Sequence, residues 1–192
     1  MLKNTLCILV RSVFDIWFYH QINMAKALVT GGAGFIGSNL ALELENQGYE
    51  VTVADNLFSG TKENISGFKG KFIQLDVSKP FELKEKFDVI FHQAAITDPR
   101  FGNDNEMIRS NIEGFKSIID LAIKNNAKLI YASSGSVYGN GKIPMKEDQE
   151  KDILSAYAKS KLAMDDTASG YFGKMHIVGL RYFNVFGPRE AH

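Results

Sequence analysis

Short continuous apolar runs alternate along the chain with longer segments in which apolar residues recur at helical spacing. The apolar runs predict buried strands at 26–30, 50–55, 71–76, 87–95, 127–134 and 175–183. Helical spacing predicts helices at 34–48, 106–126 and 156–172. Strands that are apolar on both faces and alternate with helices are typical of parallel sheets covered on both sides. The pattern therefore predicts an α/β fold, a doubly wound parallel sheet with helices on both faces.

Composition adds limits on partners and compartment. The chain has 192 residues, of which 45% are hydrophobic and 23% charged, which suits one globular domain. Its formal net charge of zero gives no electrostatic argument for nucleic acid or an anionic membrane surface, so neither partner is expected. Cys7 is the only cysteine, which excludes an intrachain disulfide and favours a cytoplasmic setting.

The first 23 residues differ from the rest of the chain. Arg11 and Asp15 interrupt their apolar segments, so no run approaches the roughly 20 residues that span a bilayer. We expect 1–23 to be an N-terminal extension outside the fold, with an interfacial helix as the less favoured alternative. The domain is then expected to cover 24–192.

A glycine pattern lies between the first predicted strand and the first predicted helix. In "LVTGGAGFIG", Gly31, Gly34 and Gly37 would let backbone N–H groups approach a pyrophosphate at the helix N-terminus. Asp55 ends the second strand, where its carboxylate can accept hydrogen bonds from a ribose diol. This context predicts a Rossmann-like NAD site; the alternative is a tight capping turn with an incidental aspartate. Asp55 would repel a 2′-phosphate, but Lys62 could reach one, so NADP stays open.

A second pattern brings a tyrosine and a lysine together. Tyr157 and Lys161 in "SAYAKSK" are four residues apart, which places both on one face of a helix. A nearby ammonium favours the phenolate over the phenol, whose usual pKa is about 10. Such a pair is most often an ordinary helix surface. However, "YASSGSVYG" ends the fifth strand on Ser133 and Ser134, at the edge where doubly wound sheets bind ligands.

Together, "TGGAGFIG", "YASSGSVYG", "YAKSK" and "RYFNVFGPRE" resemble the extended short-chain dehydrogenase/reductase family, and within it the nucleotide-sugar epimerases. The resemblance runs from about Lys26 to His192. It implies that Ser134, Tyr157 and Lys161 form the catalytic triad. It also implies that Asn111 is a structural residue of the long helix.

The resemblance implies further contacts to cofactor and substrate, and no metal ligands. The cofactor contacts would be Gly31, Gly34, Phe35, Ile36, Gly37, Asp55, Asn56, Lys62, Asp76, Val77, Ala94, Ala95, Tyr157 and Lys161. The substrate contacts would be Ser133, Ser134, Asn184 and Arg189. Asp76 would lie by the adenine, and Asn184 near the diphosphate of a nucleotide-sugar.

Details of the motifs favour one reaction over others. Related 4,6-dehydratases follow the catalytic hydroxyl with an Asp-Glu pair, whereas this chain has Gly135 and Ser136, so dehydration is not expected. The UDP-hexose 4-epimerases and the ADP-glycero-manno-heptose 6-epimerases remain. The segment "GPREAH" and "DNLFSGTK" resemble the heptose group more closely.

Members of this family carry a second, C-terminal domain that holds the nucleotide-sugar, and we expect that domain to be missing here. The favoured interpretation is therefore an epimerase fragment. A short chain that binds NAD(P) without turning over a sugar, and a different reductase on the same scaffold, are the alternatives. A homo-oligomer formed through helices 106–126 and 156–172 also stays open.

Overall fold

The computed structural model describes residues 25–190, so the predicted extension 1–23 and His192 lie outside the described residues. Six parallel strands form one sheet in the order β3-β2-β1-β4-β5-β6. The strands are β1 Lys26–Thr30, β2 Glu50–Asp55, β3 Lys71–Gln74, β4 Val89–His92, β5 Lys128–Ser134 and β6 Ile177–Tyr182. The α-helices are α1 Phe35–Asn46, α2 Asp104–Asn125 and α3 Ala156–Ser169.

The helices cover both faces of the sheet, and each face has its own apolar core. On one face, Leu40 and Leu44 of α1 pack against Val29, Val53 and Phe91 of the strands. On the other face, side chains of α2 and α3, among them Phe115, Ile118 and Met164, pack against the strand residues Leu28, Ile90 and Leu129. Neighbouring strand residues alternate between the two cores because side chains of a strand alternate in direction. The predicted fold class is confirmed, and predicted and observed element bounds differ by at most three residues.

The strand order places a crevice at the middle of the sheet. The chain runs outward from β1 through β2 to β3, then returns to the other side of β1 and runs through β4, β5 and β6. Loops after β1 and β4 therefore diverge at the carboxyl edge, which is where open α/β sheets bind ligands. Thr30 and His92 mark this point, with Thr30 Oγ1 lying 2.8 Å from His92 Nδ1.

Side-chain caps fix where α2 and α3 begin. The Asn103 side chain accepts a hydrogen bond from Glu106 N at the start of α2, and Ser155 accepts one from Ala158 N at the start of α3. Short 3₁₀ helices at Lys62–Ile65, Pro99–Phe101 and Gly135–Tyr138 were not predicted, because they follow loop geometry rather than a hydrophobic repeat. Within 25–190, each helix is too short or too polar to cross a bilayer.

Candidate functional site

A cleft of about 550 Å³ lies at the carboxyl edge of the sheet, and residues that follow each of the six strands line it. Most of the predicted site residues line this one cleft. They are Gly31, Gly34, Phe35, Ile36, Gly37, Asp55, Asn56, Asp76, Val77, Ala94, Ala95, Ser134, Tyr157 and Lys161. Four predicted residues, Lys62, Ser133, Asn184 and Arg189, are not part of its described lining.

In the glycine loop between β1 and α1, backbone atoms pack closely against other backbone atoms. Gly31 has φ +67°, and a Cβ there would lie 2.6 Å from the Ala94 nitrogen. A Cβ on Gly37 would collide with the Gly31 carbonyl oxygen. Among the described residues, no side chain caps α1 at Gly34, and the first turn of α1 has no acidic residue. The first N–H groups of α1 are thus open toward the cleft, where they would stabilise an anion.

Asp55 is fixed at the cleft by the backbone of its neighbours. Asp55 is 7% exposed as a residue; its Oδ2 accepts a hydrogen bond from Ala33 N at 2.9 Å and its Oδ1 accepts one from Leu57 N at 2.8 Å. Each carboxylate oxygen can accept a second hydrogen bond. The carboxylate therefore remains available to a diol in the cleft.

Lys62 lies elsewhere. It is exposed on its 3₁₀ helix, and its Nζ atom lies 5.1 Å from the centre of the Phe72 ring. The cation–π contact draws the side chain toward β3. Lys62 is not part of the described lining of the cleft, so its contact with a 2′-phosphate stays a prediction.

The three predicted catalytic residues meet in the cleft. Ser134 ends β5, and Tyr157 and Lys161 lie on successive turns of α3. The Lys161 Nζ atom donates a 2.7 Å hydrogen bond to the Ala132 carbonyl and lies 5.5 Å from the Tyr157 ring centre. The Tyr157 side chain lies close enough to Ser134 for the serine hydroxyl to influence its pKa. Hydroxyl, phenol and ammonium groups thus adjoin one another at the edge where the sheet ends.

Burial shapes the acid–base character of this group. Burial raises the pKa of Tyr157, and the nearby Ser134 hydroxyl opposes that shift. Burial lowers the pKa of Lys161 to about 8, and the negative charge of Asp165 opposes that shift. The protein alone therefore holds Tyr157 as a phenol at neutral pH, ready to donate a hydrogen bond. The expected lowering of the tyrosine pKa stays a prediction for the loaded site.

Asn111 contributes more than sequence reasoning assigned to it. It lines the cleft and is buried; its Oδ1 accepts from Ile96 N at 2.8 Å, and its Nδ2 donates to the Ile96 carbonyl at 3.0 Å. The same Nδ2 donates to Ser160 Oγ at 3.0 Å. Asn111 thus joins the loop after β4 to the helix that carries Tyr157 and Lys161.

Two aromatic residues of the cleft were missed. Phe58, after β2, and Phe101, before α2, both line it, and their rings meet edge to face at 5.7 Å. No sequence pattern pairs them, because the segments that carry them are distant along the chain. Phe58 could have been considered, since it closely follows Asp55 in the "DNLFSG" loop.

The predicted substrate residues are dispersed. Ser133 is 1% exposed, and strand alternation directs it away from the side of β5 on which Ser134 lines the cleft. Asn184 is exposed beyond β6. Arg189 donates from Nη1 to Asn39 Oδ1 at 2.7 Å, and the Pro188 carbonyl accepts from Asn39 Nδ2 at 2.9 Å. These two bonds hold the "GPRE" segment against α1; substrate contacts by these residues stay predictions.

Comparisons with known proteins agree with this geometry. The model of the NAD dependent epimerase/dehydratase family matches residues 27–192. An ADP-L-glycero-D-manno-heptose-6-epimerase of Brachyspira hyodysenteriae is 38% identical over 178 residues, covering 86% of this chain and 56% of the relative. A UDP-N-acetyl-alpha-D-glucosaminuronate decarboxylase of Bacillus cytotoxicus is 35% identical over 178 residues, covering 85% of this chain and 56% of the relative.

A solved structure shows the same likeness. The ADP-L-glycero-D-manno-heptose-6-epimerase of Helicobacter pylori superposes with a TM-score of 0.82 at 39% identity, covering 86% of this chain and 56% of that one. The chain thus spans little more than half the length of the relatives that it matches. Since the family model matches nearly all of the described residues, the resemblance seen in the motifs is confirmed, and the chain belongs to the NAD-dependent epimerase/dehydratase family.

Proposed function

We propose that this chain is the cofactor-binding and catalytic unit of a nucleotide-sugar epimerase that acts on an ADP-glycero-manno-heptose at carbon 6. The observation that carries the proposal is the convergence of Ser134, Tyr157 and Lys161 with the glycine loop in one cleft. The choice of sugar is supported by the heptose epimerases at 38% and 39% identity and by the "DNLFSGTK" and "GPRE" segments.

The cleft fits NAD in three respects. At Gly31 and Gly37 the loop packs too closely against neighbouring backbone to admit a Cβ, and this tight turn lets backbone N–H groups approach a pyrophosphate. The open N-terminus of α1 favours the negative charge of that group. Asp55 presents a fixed carboxylate to a ribose diol and would repel a 2′-phosphate, which favours NAD over NADP.

The residues of the triad divide the proton chemistry among them. When bound, NAD supplies a reversible hydride acceptor for the carbon that is inverted. In the loaded site Tyr157 acts as the phenolate: its Oη accepts the proton of the sugar hydroxyl as the carbonyl forms and returns it afterwards. Ser134 holds the Tyr157 hydroxyl and the sugar oxygen in line, and the Lys161 ammonium favours the phenolate while it exists.

The chain's own residues also separate this reaction from dehydration. Gly135 and Ser136 begin the 3₁₀ helix after Ser134, at the positions where the resemblance places the acid pair of a dehydratase. Neither side chain can protonate a departing hydroxyl as a carboxylic acid does. Epimerisation, which eliminates nothing, does not need that acid.

Turnover tests the proposal. The full-length protein is incubated with NAD and ADP-D-glycero-D-manno-heptose, and the two carbon-6 epimers are quantified by NMR. We expect conversion without net reduction of NAD, and we expect Tyr157→Phe to abolish conversion while NAD affinity changes less than about threefold. Wild-type turnover by Tyr157→Phe would contradict the role of Tyr157.

A panel of substrates tests the sugar. UDP-galactose and a UDP-hexuronate are assayed in parallel with the ADP-heptose. Conversion of UDP-galactose alone would replace the heptose assignment by a hexose 4-epimerase, and release of carbon dioxide would indicate a decarboxylase. Accumulation of reduced cofactor would indicate a dehydrogenase. Binding of NAD by the full-length protein without conversion of any sugar would support a non-catalytic binding chain.

The proposal extends to place and assembly. We place the activity in the cytoplasm, in line with the single cysteine of the chain. Self-association through the outer surfaces of α2 and α3 is part of the proposal, because these two helices pack side by side on one face of the sheet. Sedimentation equilibrium measures it directly, and a monomer at all concentrations would contradict it.

A further inference from the structure

Lys161 is a buried cation, and a buried cation needs compensation. Its side chain is 1% exposed, and the Ala132 carbonyl that it contacts is neutral. Burying an unpaired ammonium is costly, so such groups are normally held near an opposite charge. The described titratable or charged groups around this site come from four elements: Tyr157 and Asp165 of α3, His92 of β4, Tyr131 of β5 and Arg181 of β6.

Asp165 is the one carboxylate among these groups of the described residues. It follows Lys161 by one helical turn, which places the two side chains on the same face of α3. His92 is buried, and burial together with the charge of Lys161 lowers its pKa to about 3, so it is neutral. Tyr131 and Tyr157 are phenols at neutral pH, because burial raises the pKa of each.

The Asp165 carboxylate is held in place by donors from two strands. Oδ1 accepts from the Tyr131 hydroxyl at 2.9 Å, and Oδ2 accepts from Arg181 Nε at 3.0 Å. The side chains of Asp165 and Arg181 are 13% and 21% exposed, so solvent screens the pair only in part. The carboxylate is thus held by Tyr131 and Arg181, one helical turn beyond Lys161.

Arg181 has further contacts that fix it in turn. Its Nη1 donates to the Tyr138 hydroxyl at 2.8 Å and to the Glu147 carbonyl at 3.0 Å. Arg181 therefore links the 3₁₀ helix after Ser134 and the polar loop beyond it to the carboxylate beside Lys161. The contacts of Asp165 and Arg181 have no role in the mechanism proposed for Ser134, Tyr157 and Lys161.

We propose that Asp165 is a positioning residue that acts as the counter-ion of Lys161, and that Arg181 regulates how much of its negative charge Lys161 experiences. The consequence for catalysis rests on the proposed function, because it passes through Lys161 to Tyr157. The counter-ion role itself concerns only the protonation of Lys161, and it can be measured in the absence of a sugar.

The signs of two substitutions follow from this arrangement and are opposite. Asp165→Asn removes the negative charge, so the protonated form of Lys161 is less favoured and its titration midpoint falls below about 8. Arg181→Gln removes the positive charge that partly neutralises Asp165, so the midpoint rises. General damage to the site would move both variants in the same direction, toward the value of an exposed lysine.

The test is a titration of Lys161 followed by ¹³C NMR in protein labelled at the lysine ε-carbons, with the signal assigned by its loss in Lys161→Met. We expect the midpoint to fall by about one pH unit in Asp165→Asn and to rise by about half a unit or more in Arg181→Gln. Asp166→Asn is the matched control, since Asp166 is the next carboxylate of α3 and is exposed. Its midpoint should stay within about 0.2 units of wild type.

If Asp165→Asn does not fold, the pair Arg181→Gln and Arg181→Lys decides the matter. Arg181→Lys keeps the charge and should restore the wild-type midpoint, whereas Arg181→Gln should not. Equal midpoints in wild type, Asp165→Asn and Arg181→Gln, or shifts of the same sign, would overturn the proposal. Opposite shifts in a protein that converts no sugar would leave the counter-ion role standing and count against the proposed function alone.

Discussion

Asn111 Nδ2 donates a hydrogen bond to Ser160 Oγ at 3.0 Å, and this bond joins α2 to α3 between the positions of Tyr157 and Lys161. The same amide group bonds the backbone N–H and carbonyl of Ile96. One buried side chain therefore positions the helix that carries two triad residues relative to the loop that carries Ala94 and Ala95. Its replacement tests stability and site geometry together.

Asn111→Ala should lower the free energy of unfolding by about 2 to 3 kcal/mol, because it removes the partners of the Ile96 N–H and carbonyl and one of the two hydrogen bonds of Ser160 Oγ. Urea denaturation measures this loss. Asn105→Ala is the matched control, since Asn105 is exposed on the same helix and should change stability by less than about 0.5 kcal/mol. Equal effects of the two substitutions would contradict the role assigned to Asn111.

Gly37→Ala should weaken NAD binding at least about tenfold and lower the melting temperature by several degrees. The added methyl group would collide with the Gly31 carbonyl oxygen, which forces the loop to move. Calorimetric titration with NAD and a thermal melt measure the two effects. Gly170→Ala is the control, because Gly170 has helical dihedral angles and a Cβ there would lie no closer than 3.4 Å to its surroundings. Normal NAD affinity in Gly37→Ala would show that this close approach is not needed.

Asp55→Asn should raise the dissociation constant for NAD about tenfold and lower the one for NADP. The carboxylate accepts hydrogen bonds from two backbone N–H groups, one at each oxygen, whereas the amide of asparagine has a single acceptor oxygen. The neutral amide also does not repel a 2′-phosphate. Lys62→Met should leave the ratio of the two constants unchanged, because Lys62 lies over Phe72. Loss of NADP binding in Lys62→Met, with no change of the ratio in Asp55→Asn, would instead assign the 2′-phosphate to Lys62.

Lys161→Met should show a stability difference from wild type that depends on pH. The folded-state pKa of Lys161 is about 8, below the 10.5 of an ordinary lysine, so between these values the unfolded chain binds a proton that the folded chain lacks. The free energy of unfolding of the wild type therefore rises with pH between about 8 and 10.5. Below about pH 8, Lys161 is charged in the folded state and the full cost of burying that charge applies.

Lys161→Met has no charge to bury, so its stability does not rise with pH as that of the wild type does. The free energy of unfolding of the variant minus that of the wild type should therefore decrease by about 2 kcal/mol from pH 7.5 to pH 9.5. Urea denaturation of both proteins at the two pH values gives the quantity. Lys159→Met, at an exposed position of the same helix, serves as the control and should differ from wild type equally at both. A constant difference for Lys161→Met as well would mean that Lys161 is not a buried cation.

The sequence by itself determined the features that depend on local spacing. Alternating apolar runs and helical repeats fixed the fold class, since a buried parallel strand and an amphipathic helix each require their own period. The glycines between β1 and α1 fixed the cradle, because their spacing acts within a single turn. The four-residue spacing of Tyr157 and Lys161 fixed a shared helix face for the same reason.

Only the tertiary structure decided which side chains meet across elements. The proximity of Ser134 to Tyr157, the contact of Phe58 with Phe101 and the placement of Asp165 between Tyr131 and Arg181 depend on how α2 and α3 pack on the sheet and on the register of β5 and β6. Lys62 contacts Phe72 and Arg189 bonds to Asn39, because a long side chain takes the partner that its loop brings within reach; their ligand contacts stay predictions. Local spacing acts through a few bonds of the backbone, whereas such partners are chosen by the path of the whole chain.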